Sequence, residues 1–183
     1  MNMMSATVLS EAAKPLSAAA SSAAAILAAA ELLLPHLEQG RRIDAAVLRA
    51  AMEDAFGASD ATGAWDWKAA YEACEAATVL FLRKFGRTVL RKAGSPSAAL
   101  PMLERIAGLI PTHTRRSVES QAFQQFSTPI PLGLAVTAAA SLTPSDRVLE
   151  PSAGTGLLAI LAEIAGGALV LNELAETRAD LLA

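Results

Sequence analysis

The chain has 183 residues, 53% hydrophobic and 18% charged, against a usual charged share of about 25%, and is long enough for one domain or a small domain plus part of another. A net charge of −3 implies no global attraction to nucleic acid. The one cysteine, Cys74, excludes an internal disulfide and carries no secretory signature, and the two histidines, His36 and His113, lie too far apart in sequence to suggest a zinc site.

Much of the hydrophobic excess is alanine, which favours helix. Residues 1–9 read as a disordered start. Residues 16–34 are apolar but mostly Ala and Ser, are interrupted by Glu31 and follow no basic cluster. They read as an Ala-rich soluble helix, since a membrane span needs about 20 strongly apolar residues. The start has no charged n-region of a signal peptide, so the expected location is cytoplasmic, away from any membrane. The helical pattern runs from Ser10 or Ser17, with Pro15 tolerated near its beginning, to about Glu38. Pro35 is expected to kink or end it. Gly40 is a stop signal, and Asp44 can cap a second helix over 45–56. Residues 57–63 form a turn-rich linker.

The strongest helix follows. Trp67, Ala70, Tyr71, Cys74, Ala77, Thr78, Phe81, Leu82 and Phe85 recur at three- and four-residue steps and make one apolar face. Asp66 is its cap and Gly86 its expected break. The stripe reads as core packing, and Cys74 within it as a small buried hydrophobe rather than a nucleophile. Arg83, Arg87 and Arg91 follow at four-residue steps, with Lys84 and Lys92 beside them. If the helix runs past Gly86 they form a basic ridge. Such a ridge is more often a solvated face that suits a helix C-terminus; the other reading is contact with nucleic-acid phosphates, joined by Arg115 and Arg116.

Residues 94–97 read as a linker and 98–109 as a helix ended before Pro111. The polar, basic stretch 112–117 marks a boundary between an all-helical region, 1–115, and a second region, 116–183. Ser117 can cap a short helix over 118–125. Pro129 and Pro131 are expected to hold the backbone extended or turning ahead of a helix over 132–141. A turn over 143–146 precedes a strand from Arg147. A second strand, 168–171, and a last helix, 175–183, complete the order helix, strand, helix, strand, helix. The expected fold is α/β: a mostly helical N-terminal region, then an incomplete Rossmann-like β-α-β unit with parallel strands and a right-handed crossover.

The chemistry centres on Val148-Leu149-Glu150-Pro151-Ser152-Ala153-Gly154-Thr155-Gly156. Two glycines one residue apart let the backbone turn sharply and let a ligand approach. A P-loop is excluded, because the chain contains no Gly-Lys pair. A dinucleotide site remains a competitor: Gly154, Gly156 and Ala159 fit its letter pattern, and Glu173, 17 residues beyond Gly156, fits its ribose acid. Glu150 is the distinguishing residue. A carboxylate at the end of the first strand would repel a pyrophosphate and attract a cation. S-adenosylmethionine carries a sulfonium and an ammonium and has no phosphate, so acids at the ends of both strands match its charge pattern. Glu173 would then accept the two ribose hydroxyls.

These residues resemble the first motif of class I S-adenosylmethionine-dependent methyltransferases, especially the adenine-N6 DNA methyltransferases. Phe126-Ser127-Thr128-Pro129 resembles the F-x-T-P motif that lies against the methionine part of the cofactor in those enzymes. Leu171-Asn172-Glu173 resembles their second motif. The stretch from Trp65 to Cys74, the stretch from Pro111 to Arg116 and the stretch from Gln124 to Leu132 are similar to the N-terminal region of bacterial strawberry-notch-like proteins. Those are large chains in which a methyltransferase-like domain precedes a helicase domain. The resemblance implies an S-adenosylmethionine site built from Phe126, Ser127, Thr128, Pro129, Glu150, Pro151, Ser152, Ala153, Gly154, Gly156, Asn172 and Glu173, with none of them a catalytic base. It also implies nucleic acid as a partner of the full protein, together with downstream methyltransferase and helicase segments of the same chain.

One departure matters. The family's catalytic (D/N)-P-P-(Y/F/W) motif, whose aromatic ring stacks on a flipped base, is missing, and the sequence contains no Pro-Pro pair. The expectation is therefore the front portion of a methyltransferase, inactive alone, with weak cofactor affinity, partial disorder after about Asp146, or self-association through an open sheet edge. The alternative is a non-catalytic helical module, binding nucleic acid or protein, with a vestigial scaffold of the same type.

Overall fold

A computed structural model of the chain describes residues 18–111 and 126–183. The disordered start, the beginning of the first helix, the helix over 118–125 and the boundary at 115–116 lie outside the described residues. Among those described, the protein is mostly helical, with seven α-helices and a small two-stranded parallel sheet near the C-terminus. No described helix is long and apolar enough to cross a membrane.

Helix α1 spans Ala18–Glu38 and contains Pro35, so that proline does not end the helix. It sits in the last turn and costs the one ladder bond that the Glu31 carbonyl would accept, but the helix continues past it and its own carbonyl accepts from Gln39 N–H at 3.1 Å. Gly40, at φ +65°, stops the helix as its sequence suggests. Asp44 caps α2, Ala45–Phe56, by accepting from the amides of Ala46 and Val47 at 3.0 and 2.9 Å. The linker behind it holds a 3-10 turn, Asp60–Thr62, and is pinned by tryptophans. The Trp65 indole N–H donates to the Ala58 carbonyl at 2.8 Å and the Trp67 indole N–H to Asp60 at 3.2 Å.

Helix α3, Trp67–Ala93, is the axis of the molecule and is capped by Asp66. It does not break at Gly86. A Cβ there would lie 2.4 Å from Ile164 Cδ1, so this glycine serves close packing rather than a turn. Helix α4, Pro96–Ala107, follows after only Gly94 and the capping Ser95, because Pro96 fits the first helical turn. The expected linker over 94–97 is thus half helix. Helix α5, Ile130–Ala139, likewise takes in Pro131, which was expected to hold the chain extended; a first-turn N–H has no intrahelical partner to lose. Strand β1, Arg147–Glu150, helix α6, Ala159–Ala165, strand β2, Ala168–Leu171, and helix α7, Glu176–Leu182, complete the chain. The strands run parallel, with Arg147 opposite Ala168 and Glu150 opposite Leu171.

The alanine excess finds its use where α1 meets α3. Ala29 and Ala30 of α1 and Ala70, Ala73 and Ala77 of α3 are all fully buried in one cluster with Ile26 and Leu33. Small side chains let the two backbones approach. A second cluster joins Leu82 of α3, Leu103 of α4, Leu134 of α5 and Ile160 and Leu161 of α6. Each such buried leucine or isoleucine stabilises the fold by about 1.5–3 kcal/mol. The helical region and the β-α-β unit therefore share a core.

The sheet is covered on one face only. Leu149 is 66% exposed and its neighbour across the ladder, Val170, 42%. Two short strands with a bare apolar face favour association between chains. The sedimentation coefficient should rise with protein concentration, and Leu149→Lys should abolish that rise. A wild-type chain that stays monomeric at all concentrations would contradict this.

Candidate functional site

The site is built at the ends of the two strands. After Glu150 the chain turns through Pro151, Ser152 and Ala153 to Gly154 and Gly156, whose φ values of +58° and +90° put both in the left-handed region. Strand β2 holds this loop in place. The Asn172 carbonyl accepts from Ala153 N–H at 2.9 Å, and the Asn172 side-chain amide donates to the Pro151 carbonyl at 2.9 Å. Glu173 completes the latch: one carboxylate oxygen accepts from Gly154 N–H and the other from Ala175 N–H, each at 2.8 Å. The acid expected to take ribose hydroxyls is thus engaged by the backbone of the glycine loop and of the entry to α7. One lone pair of each oxygen remains for a ligand.

Above the loop is a small cleft of about 70 Å³. Phe126, Ser127 and Thr128 form one wall, and Glu150, Ser152 and Gly154 the other. The structure therefore brings together the F-S-T-P stretch and the glycine loop, separated by over twenty residues in sequence. Not every expected site residue reaches the cleft. Pro151 and Asn172 shape the loop from behind. Pro129 is the N-cap of α5 and lines a larger, mainly apolar cavity of about 210 Å³ beside Tyr71, Cys74 and Glu75. Gly156 faces away, with a Cβ position 3.3 Å from Leu182.

The basic ridge is partly engaged within the molecule. Arg83 makes two hydrogen bonds to the Glu163 carboxylate, at 3.2 and 3.1 Å, and Arg87 reaches the Glu163 carbonyl at 3.5 Å. Arg91 is exposed. Arg115 and Arg116 lie outside the described residues.

Beneath the loop lies a polar cluster that sequence reasoning missed. Glu72 and Glu75 of α3 and Arg178 of α7 are 2%, 8% and 5% exposed. Arg178 Nε donates to Glu72 Oε1 at 2.5 Å, and Lys68 Nζ lies 3.0 Å from the same oxygen. The Thr155 hydroxyl, between the two loop glycines, donates to Glu75 Oε2 at 2.7 Å. Gly154 rests over the guanidinium, 4.0 Å from the Cβ position it lacks to Arg178 Nη1. Burial pushes the Glu75 carboxyl above its ordinary range, with Glu72 adding to the rise, while the Ser127 and Thr155 hydroxyls and Arg178 pull the other way. Burial, with the neighbouring Glu75, also pushes the Cys74 thiol up to about 12. It stays protonated, in keeping with a packing role. The available signal was a pair of acids three residues apart in the first part of the helix, residues 67–82, where Lys68 is the only other charged residue; such acids require partners when buried.

No family model, curated protein or solved structure matches this chain.

Proposed function

We propose that the cleft binds the methionine end of S-adenosylmethionine, and that the chain is the cofactor-binding front of a class I methyltransferase of the adenine-N6 type. On this reading it works on nucleic acid together with downstream methyltransferase and helicase segments of a longer chain. The supporting observation is the placement of Ser127 and Thr128 across the glycine loop from Glu150. A carboxylate faces the space, and no Lys or Arg side chain is among the cleft's described lining residues. That charge pattern suits an ammonium and a sulfonium and disfavours a pyrophosphate. The cleft has room for one end of such a ligand, so affinity is modest. The engagement of Arg83 and Arg87 with Glu163 gives the nucleic-acid form of the helical-module reading no support from those two side chains.

Calorimetric titration decides between the cofactors. S-adenosylhomocysteine should bind with a dissociation constant of about 0.1 mM or weaker, and NAD should not bind. Binding of NAD without S-adenosylhomocysteine would overturn the proposal.

A further inference from the structure

We infer that Glu75, on the central helix of the bundle, is a positioning residue of the ligand cleft, holding the glycine loop and the Ser127–Thr128 wall at a fixed separation from beneath. The role assigned to the cleft rests on the methyltransferase reading; the clamp itself does not. Glu75 lies 80 residues before Thr155 and 52 before Ser127, yet its carboxyl meets both walls from α3. It accepts from Thr155 at 2.7 Å, and the Ser127 hydroxyl lies close enough to favour its ionised form. Thr155 is itself buried, between the two positive-φ glycines, and ties to α3 a loop whose other side is latched by Asn172 and Glu173.

The surrounding charges fix which way the carboxyl acts. Glu72 and Cys74 face it from its own helix and Arg178 from α7. Arg178 is already committed to Glu72 at 2.5 Å. The two wall hydroxyls are therefore the directional partners of Glu75, and a buried acceptor left without them is costly. A neutral amide at this position keeps an acceptor oxygen for the Thr155 hydroxyl and can donate its N–H to the Ser127 oxygen, since a hydroxyl accepts as well as donates. A hydrocarbon would fill the space and accept neither.

Hydrogen–deuterium exchange on the full chain tests the inference. In Glu75→Leu, amides of residues 153–157 and 126–128 should exchange about tenfold faster, the loss of roughly one hydrogen bond, while α1 and α4 keep their protection. Glu75→Gln should restore both segments. Thr155→Val, which removes the same bond from the loop side, should release 153–157 alone and guards against a Glu75→Leu chain that does not fold. Unchanged exchange at both segments in Glu75→Leu, or acceleration spread evenly over the chain with no rescue by Gln, would overturn the role. Parallel titration with S-adenosylhomocysteine separates the two claims. If the wild type fails to bind it but the exchange pattern holds, the cofactor proposal falls and the clamp stands. If binding is equal in all variants and exchange is unchanged, the clamp falls alone.

Discussion

Replacing Arg178 by leucine should lower the unfolding free energy by about 3 kcal/mol, near the lower end of what removing one member of a buried ion pair costs. Arg178 and Glu72 are both almost fully buried and meet at 2.5 Å. Taking away the guanidinium leaves a carboxylate in a low-dielectric interior. Lys68, 3.0 Å from Glu72, keeps that charge from being stranded and holds the loss near the lower end. Glu75 loses a neighbour that favours its charged form, so its carboxyl rises further. Helix α7 also loses its buried tie to α3 and is left with its packing against α1. At seven residues it is too short to persist without tertiary support. The double variant Glu72→Leu/Arg178→Leu should recover at least half of the loss, because neither charge of the pair is then left buried alone. Urea denaturation followed by tryptophan fluorescence reports both, since Trp65 and Trp67 sit at the start of α3. A single-variant loss below about 1 kcal/mol would mean that water already screens the contact.

What could be read from the sequence is local. Asp44 and Asp66 stand directly before apolar periodic runs, and each caps the helix it precedes. Both strands were legible because short β-branched and leucine runs end at Glu150 and beside Asn172 with glycines between them. The misreadings are tertiary. Gly86 carries the same letter as a helix stop, but its role is set by Ile164, 78 residues away. Pro35, Pro96 and Pro131 looked like breakers, yet Pro96 and Pro131 occupy first turns where the N–H has no intrahelical partner, and Pro35 costs α1 one ladder bond in its last turn without ending it. Glu72 and Glu75 resemble ordinary surface acids of an Ala-rich helix. Tertiary contacts, among them Arg178 of α7 against Glu72 and Thr155 of the loop against Glu75, take them out of water, and those contacts join residues too distant for periodicity to reveal. The cleft was legible in its parts, with Phe126 to Thr128 and Glu150 both recognised. The polar support beneath it was not.

Glu150→Lys should abolish binding of S-adenosylmethionine while leaving the fold intact. The fold is insensitive because, among the described residues, the Glu150 side chain accepts one long hydrogen bond, from Ser152 N–H at 3.4 Å. Binding is sensitive because the charge lies in the cleft itself. Two unit charges about 6 Å apart interact by roughly 3 kcal/mol at an effective dielectric of about 20, so reversing one changes the interaction by about 6 kcal/mol before screening. Glu150 is partly exposed, and solvent reduces that figure. Even half of it exceeds a hundredfold in affinity and takes a weak complex beyond detection. The neutral substitution Glu150→Gln removes attraction without adding repulsion and should weaken binding about tenfold. A comparison of ligands sharpens the test. S-adenosylhomocysteine keeps the ammonium but lacks the sulfonium charge, so Glu150→Gln should weaken S-adenosylmethionine more than S-adenosylhomocysteine if the carboxylate faces the sulfur. Equal weakening would place the acid against the ammonium instead. Unchanged affinity for both ligands in Glu150→Lys would remove Glu150 from the site and, with it, the charge argument that favours a cationic cofactor over a dinucleotide.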